Sequence, residues 1–164
     1  MRYRLKVEIE YLIAMGKEKG IKELLPFSKN EQSHLRKIYE KFNSVGGEKV
    51  KEIEATTNHD VKAIEYYIQG KVEKALHPWI HFALTSEDIN NLSYSLMWQD
   101  GLKQIYLPML LSLNKELKKL ARKHKNGSML TLTHGQPATP TTFGKELAVF
   151  YSRLDRQISQ IKVH

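Results

Sequence analysis

A run of about 38 residues, from Ser86 to Lys123, keeps one apolar side at helical spacing, and this run limits the folds open to the chain. Ser86 is a good N-cap, and Glu87 and Asp88 follow where the helix dipole favours acidic groups. Such a helix would be about 57 Å long, whereas a compact chain of this size has a diameter of about 40 Å. The pattern therefore predicts an all-α protein whose long helix, kinked at Pro108, needs partner helices from further sequence or from other subunits. The apolar positions are Leu92, Leu96, Leu102, Ile105, Met109, Leu113, Leu117 and Leu120.

Both ends of the sequence lie inside amphipathic helical patterns. Leu5, Ile9 and Leu12 recur at helical spacing from almost the first residue, with no capping residue before them. The pattern from Phe143 to Ile161 continues to the last residues without a Gly or Pro to end it. Because helices usually begin at a cap and end at Gly or Pro, we expect the chain to be part of a longer protein.

From these patterns we predict two domains. Residues 1–84 form an N-terminal helical domain whose own start is missing, and its second helix ends at the Gly46–Gly47 pair. Residues 85–164 begin a central long-helix bundle domain. Within this second region Met129–Thr133 alternates like a strand, and no other strand is predicted.

The composition and the motifs exclude several functional classes. The chain has no cysteine, which removes disulfide scaffolds, thiolate metal sites and cysteine nucleophiles. HExxH, GxGxxG and P-loop spacings are absent, so the sequence supports no zinc, dinucleotide or Walker-type nucleotide site. The apolar runs are far shorter than the ~20 residues of a membrane helix, and the N-terminal segment lacks a signal-peptide core. We therefore expect a soluble, cytoplasmic protein.

The net charge of +8 favours anionic partners without identifying them. A nucleic-acid surface on the long helix is one interpretation of its basic residues. These residues alternate with the apolar stripe, however, as the residues of a solvated helix face do. They are Lys115, Lys118, Lys119, Arg122, Lys123 and Lys125.

Two of the seven histidines lie in polar segments suited to chemistry. His59 is part of TTNHD, which crowds polar groups at a helix start whose free N–H groups attract anions. An N-capping corner, with Asn58 or Asp60 as the cap, explains this segment equally well. His134 is part of THGQPATP, a loop whose irregular path is set by a glycine and two prolines. Such a loop either presents a proton-transfer group or is only a structural turn.

A third polar segment, TSEDINN, begins at Thr85. Its two hydroxyl groups at a helix N-terminus suit a phosphate or a carboxylate, but they equally suit an ordinary cap with an acidic first turn. His81 lies just before this segment in the apolar stretch WIHFAL, and we expect it to be a core or helix-face residue.

Taken in order, three motifs in a long-helix protein resemble the adenylosuccinate lyase family of the fumarase/aspartase superfamily. They are TTNHDVKAIEYY (56–67), HFALTSEDINN (81–91) and THGQPATPTTFGKE (133–146). HGQPATP is similar to the bacterial-type branch in particular. The resemblance covers the whole chain, whereas the chain would cover about a third of such an enzyme. It implies a long-helix bundle of the fumarase/aspartase type, truncated here after the start of the central domain.

The resemblance implies a lyase of purine nucleotide biosynthesis that uses no metal or organic cofactor. Such an enzyme removes fumarate by β-elimination from adenylosuccinate, giving AMP, and from SAICAR, giving AICAR. By this resemblance His134 is the general acid that protonates the leaving nitrogen, and a neighbouring carboxylate should help to keep it protonated. Asn58, His59 and Asp60 bind and orient the nucleotide, while Thr85 and Ser86 bind a succinyl carboxylate. The implied substrate-binding residues are thus Asn58, His59, Asp60, Thr85, Ser86 and Thr133.

Parts of the family pattern have no match in this chain. The family's phosphate-gripping Arg-Tyr pair would precede the first helix, and its catalytic serine loop would follow His164. The family also builds its active sites from several subunits of a homotetramer, so we expect the 164-residue chain to be inactive alone. The alternatives are another lyase of the superfamily, such as argininosuccinate lyase or aspartase, and a non-enzymatic basic helical binding module. The motif TTNHDVKAIEYY argues against the first.

Overall fold

The computed structural model describes residues 1–163, and most of this backbone is helical. The helical content confirms the predicted all-α class. Backbone proximity divides the chain into Met1–Trp98 and Gln99–His164, although His164, the end of the second predicted domain, lies outside the described residues. The helices are α1 (Arg2–Met15), α2 (Lys29–Glu40), α3 (Ser44–Thr57), α4 (Asp60–Gln69), α5 (Ser86–Gly101), α6 (Leu107–Lys123) and α7 (Phe143–Val163), with a 3₁₀ helix at Lys74–Trp79 and a π turn at Leu102–Tyr106. The predicted domain limits at residues 84 and 85 remain predictions.

The first unit is built around the apolar face of α1. Leu5, Ile9 and Leu12 recur every three or four residues, and each is at most 1% exposed. They belong to one core cluster with Ile64 and Ile68 of α4, which are fully buried. Because burying an aliphatic side chain of this size contributes about 2 kcal/mol, this cluster holds α4 firmly against α1. The position of the α4 start therefore depends on α1.

The Gly46–Gly47 pair does not end a helix, contrary to the prediction. The break falls earlier, at Asn43, whose Oδ1 accepts a hydrogen bond from the Gly46 N–H at 3.1 Å and caps α3. A Cβ atom at Gly46 would lie 2.9 Å from both the Phe42 ring and the Tyr67 hydroxyl. These glycines lie in the first turn of α3, and Gly46 allows the close packing there.

The helical backbone continues from α5 through the π turn into α6, as the unbroken apolar pattern predicts. Gly101 and Leu107, on either side of the π turn, keep right-handed helical angles with φ values of −60° and −62°. Pro108 lies in the first turn of α6, so the predicted irregularity occurs just before the proline, where the wider turn tolerates its missing N–H. None of the helices among residues 1–163 has both the length and the apolar character needed to cross a membrane.

The predicted strand is present as β1 (Ser128–Thr133), but it pairs with a strand that the pattern does not predict. β2 (Gln136–Thr142) runs antiparallel to β1, with Thr133 opposite Gln136 and Ser128 opposite Thr142. Prolines usually disfavour strands because they lack a backbone donor, but a two-stranded ribbon leaves one edge of each strand unpaired. The prediction of no second strand is therefore wrong.

The second unit packs α6 against α7. Gly144, in the first turn of α7, approaches α6 so closely that an added Cβ atom would lie 2.3 Å from the Ala121 carbonyl oxygen. Farther along, the Asn114 side-chain amide donates to Asp155 at 2.5 Å, and the Lys118 ammonium lies 2.5 Å from the same carboxylate. Because the β1–β2 hairpin connects the two helices, this packing holds both of its ends.

Candidate functional site

His59 is the N-cap of α4, the position that the sequence predicts for Asn58 or Asp60. Its backbone is extended, and its ring Nδ1 accepts a hydrogen bond from the Lys62 N–H at 3.1 Å. Asn58 instead ends α3 in the left-handed conformation at φ 51°, which asparagine tolerates better than most residues. The capping and the functional interpretations of TTNHD therefore apply to the same imidazole.

The His59 imidazole also links the start of α4 to the start of α5. Its Nε2 lies 3.4 Å from the Ser86 Oγ, a long hydrogen bond. Because Nδ1 already accepts from the Lys62 N–H, the proton of the neutral ring lies on Nε2, which donates to Ser86. The structure thus brings two of the three predicted motifs together. The His59 side chain is 50% exposed, so the ring remains accessible.

The helix α5 begins at Ser86, so Thr85 is the residue that precedes it. The predicted cap, Ser86, therefore lies one position too late. Asp88 Oδ2 accepts hydrogen bonds from the Thr85 backbone N–H at 2.7 Å and from its hydroxyl at 2.8 Å. These two hydrogen bonds lower the pKa of the Asp88 carboxyl. The Thr85 hydroxyl proton is therefore engaged locally, whereas the Ser86 hydroxyl faces His59.

Asp60, the acidic residue of TTNHD, is anchored to α1. Its Oδ2 lies 2.7 Å from Arg4 Nη2, and its Oδ1 accepts a hydrogen bond from the Val61 N–H at 2.9 Å. Burial raises the pKa of the Asp60 carboxyl, but the Arg4 guanidinium and the Val61 N–H outweigh it and hold that pKa below its ordinary value. Asp60 is thus a fixed anion rather than a free proton acceptor.

Replacing Asp60 with asparagine is expected to reduce the stability of the first unit at neutral pH by up to about 1 kcal/mol, since the pair is partly exposed. A carboxyl whose folded-state pKa is lowered contributes stability above its unfolded-state pKa and loses it as the pH falls through the folded-state value. The stability difference between the wild type and Asp60→Asn should therefore shrink on acidification. Urea denaturation of both proteins at about pH 7 and about pH 3 checks this. A difference of equal size at both pH values would contradict it.

The two helix starts that meet at His59 and Ser86 carry the partial positive charge that attracts an anion, and at α4 the Val61 and Lys62 N–H groups already donate to Asp60 and His59. The first backbone N–H groups of a helix lack intrahelical partners and carry partial positive charge. Carboxylates and phosphates bind at such positions, and the imidazole and hydroxyl groups add side-chain donors. Among residues 1–163, no three His, Asp or Glu side chains are grouped in a way that could hold a metal ion.

Thr133 and His134 belong to the second unit, where they lie at the turn of the hairpin. His134 and Gly135 form a two-residue turn with φ values of 52° and 76°, the pattern of a type I′ turn. His134 is exposed, and its ring makes no ion pair or hydrogen bond within residues 1–163. The carboxylate neighbour expected for this histidine stays a prediction.

One buried polar pair near the candidate site is not predicted from the sequence. His81 Nδ1 lies 2.6 Å from Glu8 Oε1, and Glu8 is only 2% exposed. His81 is largely buried, as expected, but it has an ionisable partner on α1. The sequence offers one sign of this pair. Glu8 lies between Val7 and Ile9 on an apolar helix, and a buried carboxylate there needs a polar partner.

Comparisons of the sequence with known proteins give matches to lyases. A family model described as lyase matches residues 1–164. The adenylosuccinate lyase of Dictyostelium discoideum is 42% identical over 170 residues, which cover 99% of this chain and 36% of that protein. The adenylosuccinate lyase of Escherichia coli K12 is 40% identical over 166 residues, covering 98% of this chain and 36% of that protein. The chain thus spans little more than a third of these relatives and matches their N-terminal part.

Solved structures share the fold. A fumarate lyase from Mesorhizobium sp. BNC1 superposes with a TM-score of 0.77 at 23% identity, covering 98% of this chain and 36% of that one. A β-carboxy-cis,cis-muconate cycloisomerase from Acinetobacter calcoaceticus sp. ADP1 gives a TM-score of 0.72 at 19% identity, covering 99% of this chain and 37% of that one. These likenesses confirm the long-helix fold predicted from the motifs, and the sequence matches confirm the resemblance.

Proposed function

Because the chain belongs to the lyase family, whose model matches residues 1–164, we propose that it is the N-terminal portion of an adenylosuccinate lyase. The enzyme acts in the cytoplasm in purine nucleotide biosynthesis, where it releases fumarate from adenylosuccinate to give AMP and from SAICAR to give AICAR. The proposal is supported by 40% and 42% identity to two adenylosuccinate lyases over nearly the whole chain.

The observation that carries this proposal is the contact between His59 and Ser86. These residues come from separate motifs, and the 3.4 Å contact brings two helix starts to one place. A substrate with two carboxylates and a phosphate needs anion-binding groups of this kind. We assign a succinyl carboxylate to Ser86 and Thr85, the latter turning its hydroxyl from Asp88 to the substrate. The nucleotide is assigned to Asn58, His59 and Asp60.

The proposed chemistry is a β-elimination. A base removes a proton beside a succinyl carboxylate, the electron pair forms the double bond of fumarate, and the C–N bond breaks as the His134 imidazolium gives its proton to the leaving nitrogen. Thr133 lies beside His134 and contacts the substrate. The base and the carboxylate that keeps His134 protonated are expected from the rest of the polypeptide or from another subunit. No metal or organic cofactor is assigned.

A homotetramer with active sites shared between subunits is part of the proposal. The long helix exposes large apolar side chains, of which Trp98 is 70% exposed and Met109 67%. Exposed apolar side chains along a helix are typical of a bundle surface that partner helices cover. No nucleic acid or membrane is proposed as a partner. The exposed apolar residues of this helix include Leu92, Tyr94, Met97, Trp98, Ile105, Tyr106, Met109 and Leu113.

A substrate panel tests the proposed function. The full-length polypeptide is incubated with adenylosuccinate, SAICAR, argininosuccinate or aspartate, and fumarate is measured. We expect fumarate from the first two compounds only, and none from residues 1–164 alone. Fumarate from argininosuccinate or aspartate, with none from adenylosuccinate or SAICAR, would contradict the proposal and indicate another lyase of the superfamily. Steeply salt-dependent nucleic-acid binding without fumarate release from any compound would favour a basic binding module.

Replacing His59 separates its capping role from its proposed substrate role. His59→Ala removes the cap of α4 and should lower the free energy of unfolding by about 1 kcal/mol. Asparagine is a good N-cap, so His59→Asn should keep the free energy of unfolding near the wild-type value. Both variants of the full-length polypeptide are expected to raise the KM for adenylosuccinate and to lower kcat, because both lack the imidazole. Denaturation and steady-state kinetics on the two variants measure these effects. Normal kinetics in His59→Asn would leave His59 with its capping role alone.

A further inference from the structure

The segment between the 3₁₀ helix and α5 is held in a strained conformation. His81 and Ala83 have φ values of 62° and 56°, in the left-handed region that favours glycine. Such a conformation costs free energy and persists only where the surrounding structure determines it. Two residues later the chain reaches Thr85 and Ser86, so the direction of this segment sets where those hydroxyl groups lie.

The contacts that hold this segment come from one face of α1. Glu8 Oε1 lies 2.6 Å from His81 Nδ1, and the Tyr11 hydroxyl donates to the Phe82 carbonyl oxygen at 3.1 Å. Leu84 packs on a small apolar cluster that contains Val7 of α1. Of these contacts, only the one to His81 involves an ionisable pair. Its distance is as short as that of a charge-assisted hydrogen bond.

Among residues 1–163, the hydrogen-bond partner of the Glu8 carboxylate is His81, and the nearby Glu65 carboxylate raises the pKa of Glu8. Its Oε2 is buried without a hydrogen bond within the described residues 1–163, and the side chain is 1% exposed. Burial raises the pKa of the Glu8 carboxyl, and the hydrogen bond with His81 opposes this. A carboxylate in this position is costly to retain for packing alone, because an apolar side chain would fill the space without a desolvation penalty.

We propose that Glu8 is a positioning residue, whose carboxylate accepts a hydrogen bond from His81 Nδ1–H and thereby fixes the strained segment that delivers Thr85 and Ser86 to His59. Its consequence for catalysis rests on the proposed function, since it concerns the residues assigned to a succinyl carboxylate. The hydrogen bond itself does not depend on that function. His81 is also near Asp88, whose carboxylate is engaged with Thr85.

Nitrogen NMR of the histidine rings in residues 1–164 tests the hydrogen bond directly. We expect His81 to carry a proton on Nδ1 in the wild type. This signal should be lost in Glu8→Leu, and the Ser86 amide and His59 ring resonances should shift. Glu8→Gln keeps an acceptor of the same shape. The His81 Nδ1–H signal should therefore remain in this variant, but the proton should exchange faster with water. The control is Glu65→Gln, which removes a second largely buried carboxylate that is bonded to Lys62, and it should retain the wild-type His81 signal.

Two outcomes would overturn the proposal. One is a wild-type His81 ring protonated only on Nε2, which needs no variant to observe. The other is a set of unchanged Ser86 and His59 resonances in Glu8→Gln and in folded Glu8→Leu. In the full-length polypeptide, Glu8→Leu should raise the KM for adenylosuccinate more than it lowers kcat, with a combined loss in kcat/KM of up to about 100-fold, and Glu8→Gln should lose less because it keeps an acceptor. Absence of any lyase activity would contradict the proposed function, while the NMR result would still decide the role of Glu8.

Discussion

Replacing His134 with alanine is expected to lower the turnover of adenylosuccinate by the full-length polypeptide by about 10²–10⁴-fold, the usual contribution of a general acid. Without the imidazolium, the leaving nitrogen must depart without a proton from the enzyme. His134 is exposed at the hairpin turn and makes no ion pair or hydrogen bond within residues 1–163, so its loss removes no core contact there. Steady-state kinetics, with the oligomeric state measured by light scattering, should show loss of turnover without loss of assembly.

Two further variants isolate the imidazole from the turn. His134 occupies the first position of a two-residue turn at φ 52°, where asparagine is favoured, so His134→Asn should fold at least as well as the wild type and be equally impaired in turnover. His34→Ala removes an exposed histidine of α2 and should leave turnover unchanged. Fumarate release near the wild-type rate in His134→Asn would contradict the assignment of the general acid.

Replacing Gly144 with alanine is expected to destabilise the second unit by about 3 kcal/mol, at the upper end of the range for overpacked positions. An added Cβ atom would lie 2.3 Å from the Ala121 carbonyl oxygen and 2.6 Å from the Lys125 Cα. Both are backbone atoms, the first in α6 and the second two residues after its end, so α7 must move away from this backbone to relieve the overlap. Faster hydrogen exchange of the α6 and α7 amides, together with an earlier denaturation transition, would measure the effect.

Gly101 provides the matched control for Gly144. It has helical backbone angles, and a Cβ atom there would meet nothing within 4 Å. Because glycine is a poor helix former, Gly101→Ala should stabilise the chain by about 0.5–1 kcal/mol. Equal effects of the two substitutions would show that the α6–α7 packing does not depend on Gly144.

The sequence predicts which segments are helical better than it predicts the residues at which the helices begin and end. The long helix and the final helix follow from the repeating apolar positions, because burial at a spacing of three or four residues has few other solutions. The Gly46–Gly47 pair is misleading, since Gly46 is present for the contact with Phe42 and Tyr67, which sequence spacing does not reveal. β2 is missed because Pro137 and Pro140 argue against a strand unless it lies at the edge of a ribbon.

The candidate site is predictable in its residues but not in its geometry. The polar segments around His59 and Ser86 can be found in the sequence, while the contact between their helix starts depends on how α1, α4 and α5 pack. The assignment of the α4 cap to Asn58 or Asp60 fails because the imidazole Nδ1 serves as the acceptor. Glu8 is missed for a similar reason. Its partner His81 lies 73 residues away in the sequence.

The most direct test of the central claim is the product balance of adenylosuccinate cleavage by the full-length polypeptide, with AMP and fumarate quantified by chromatography. If the chain is part of an adenylosuccinate lyase with His134 as its general acid, the wild type will form AMP and fumarate in equal amounts. The His134→Asn variant will form both at a rate lower by about 10²–10⁴-fold. A wild-type protein that binds adenylosuccinate but forms neither product would contradict the account.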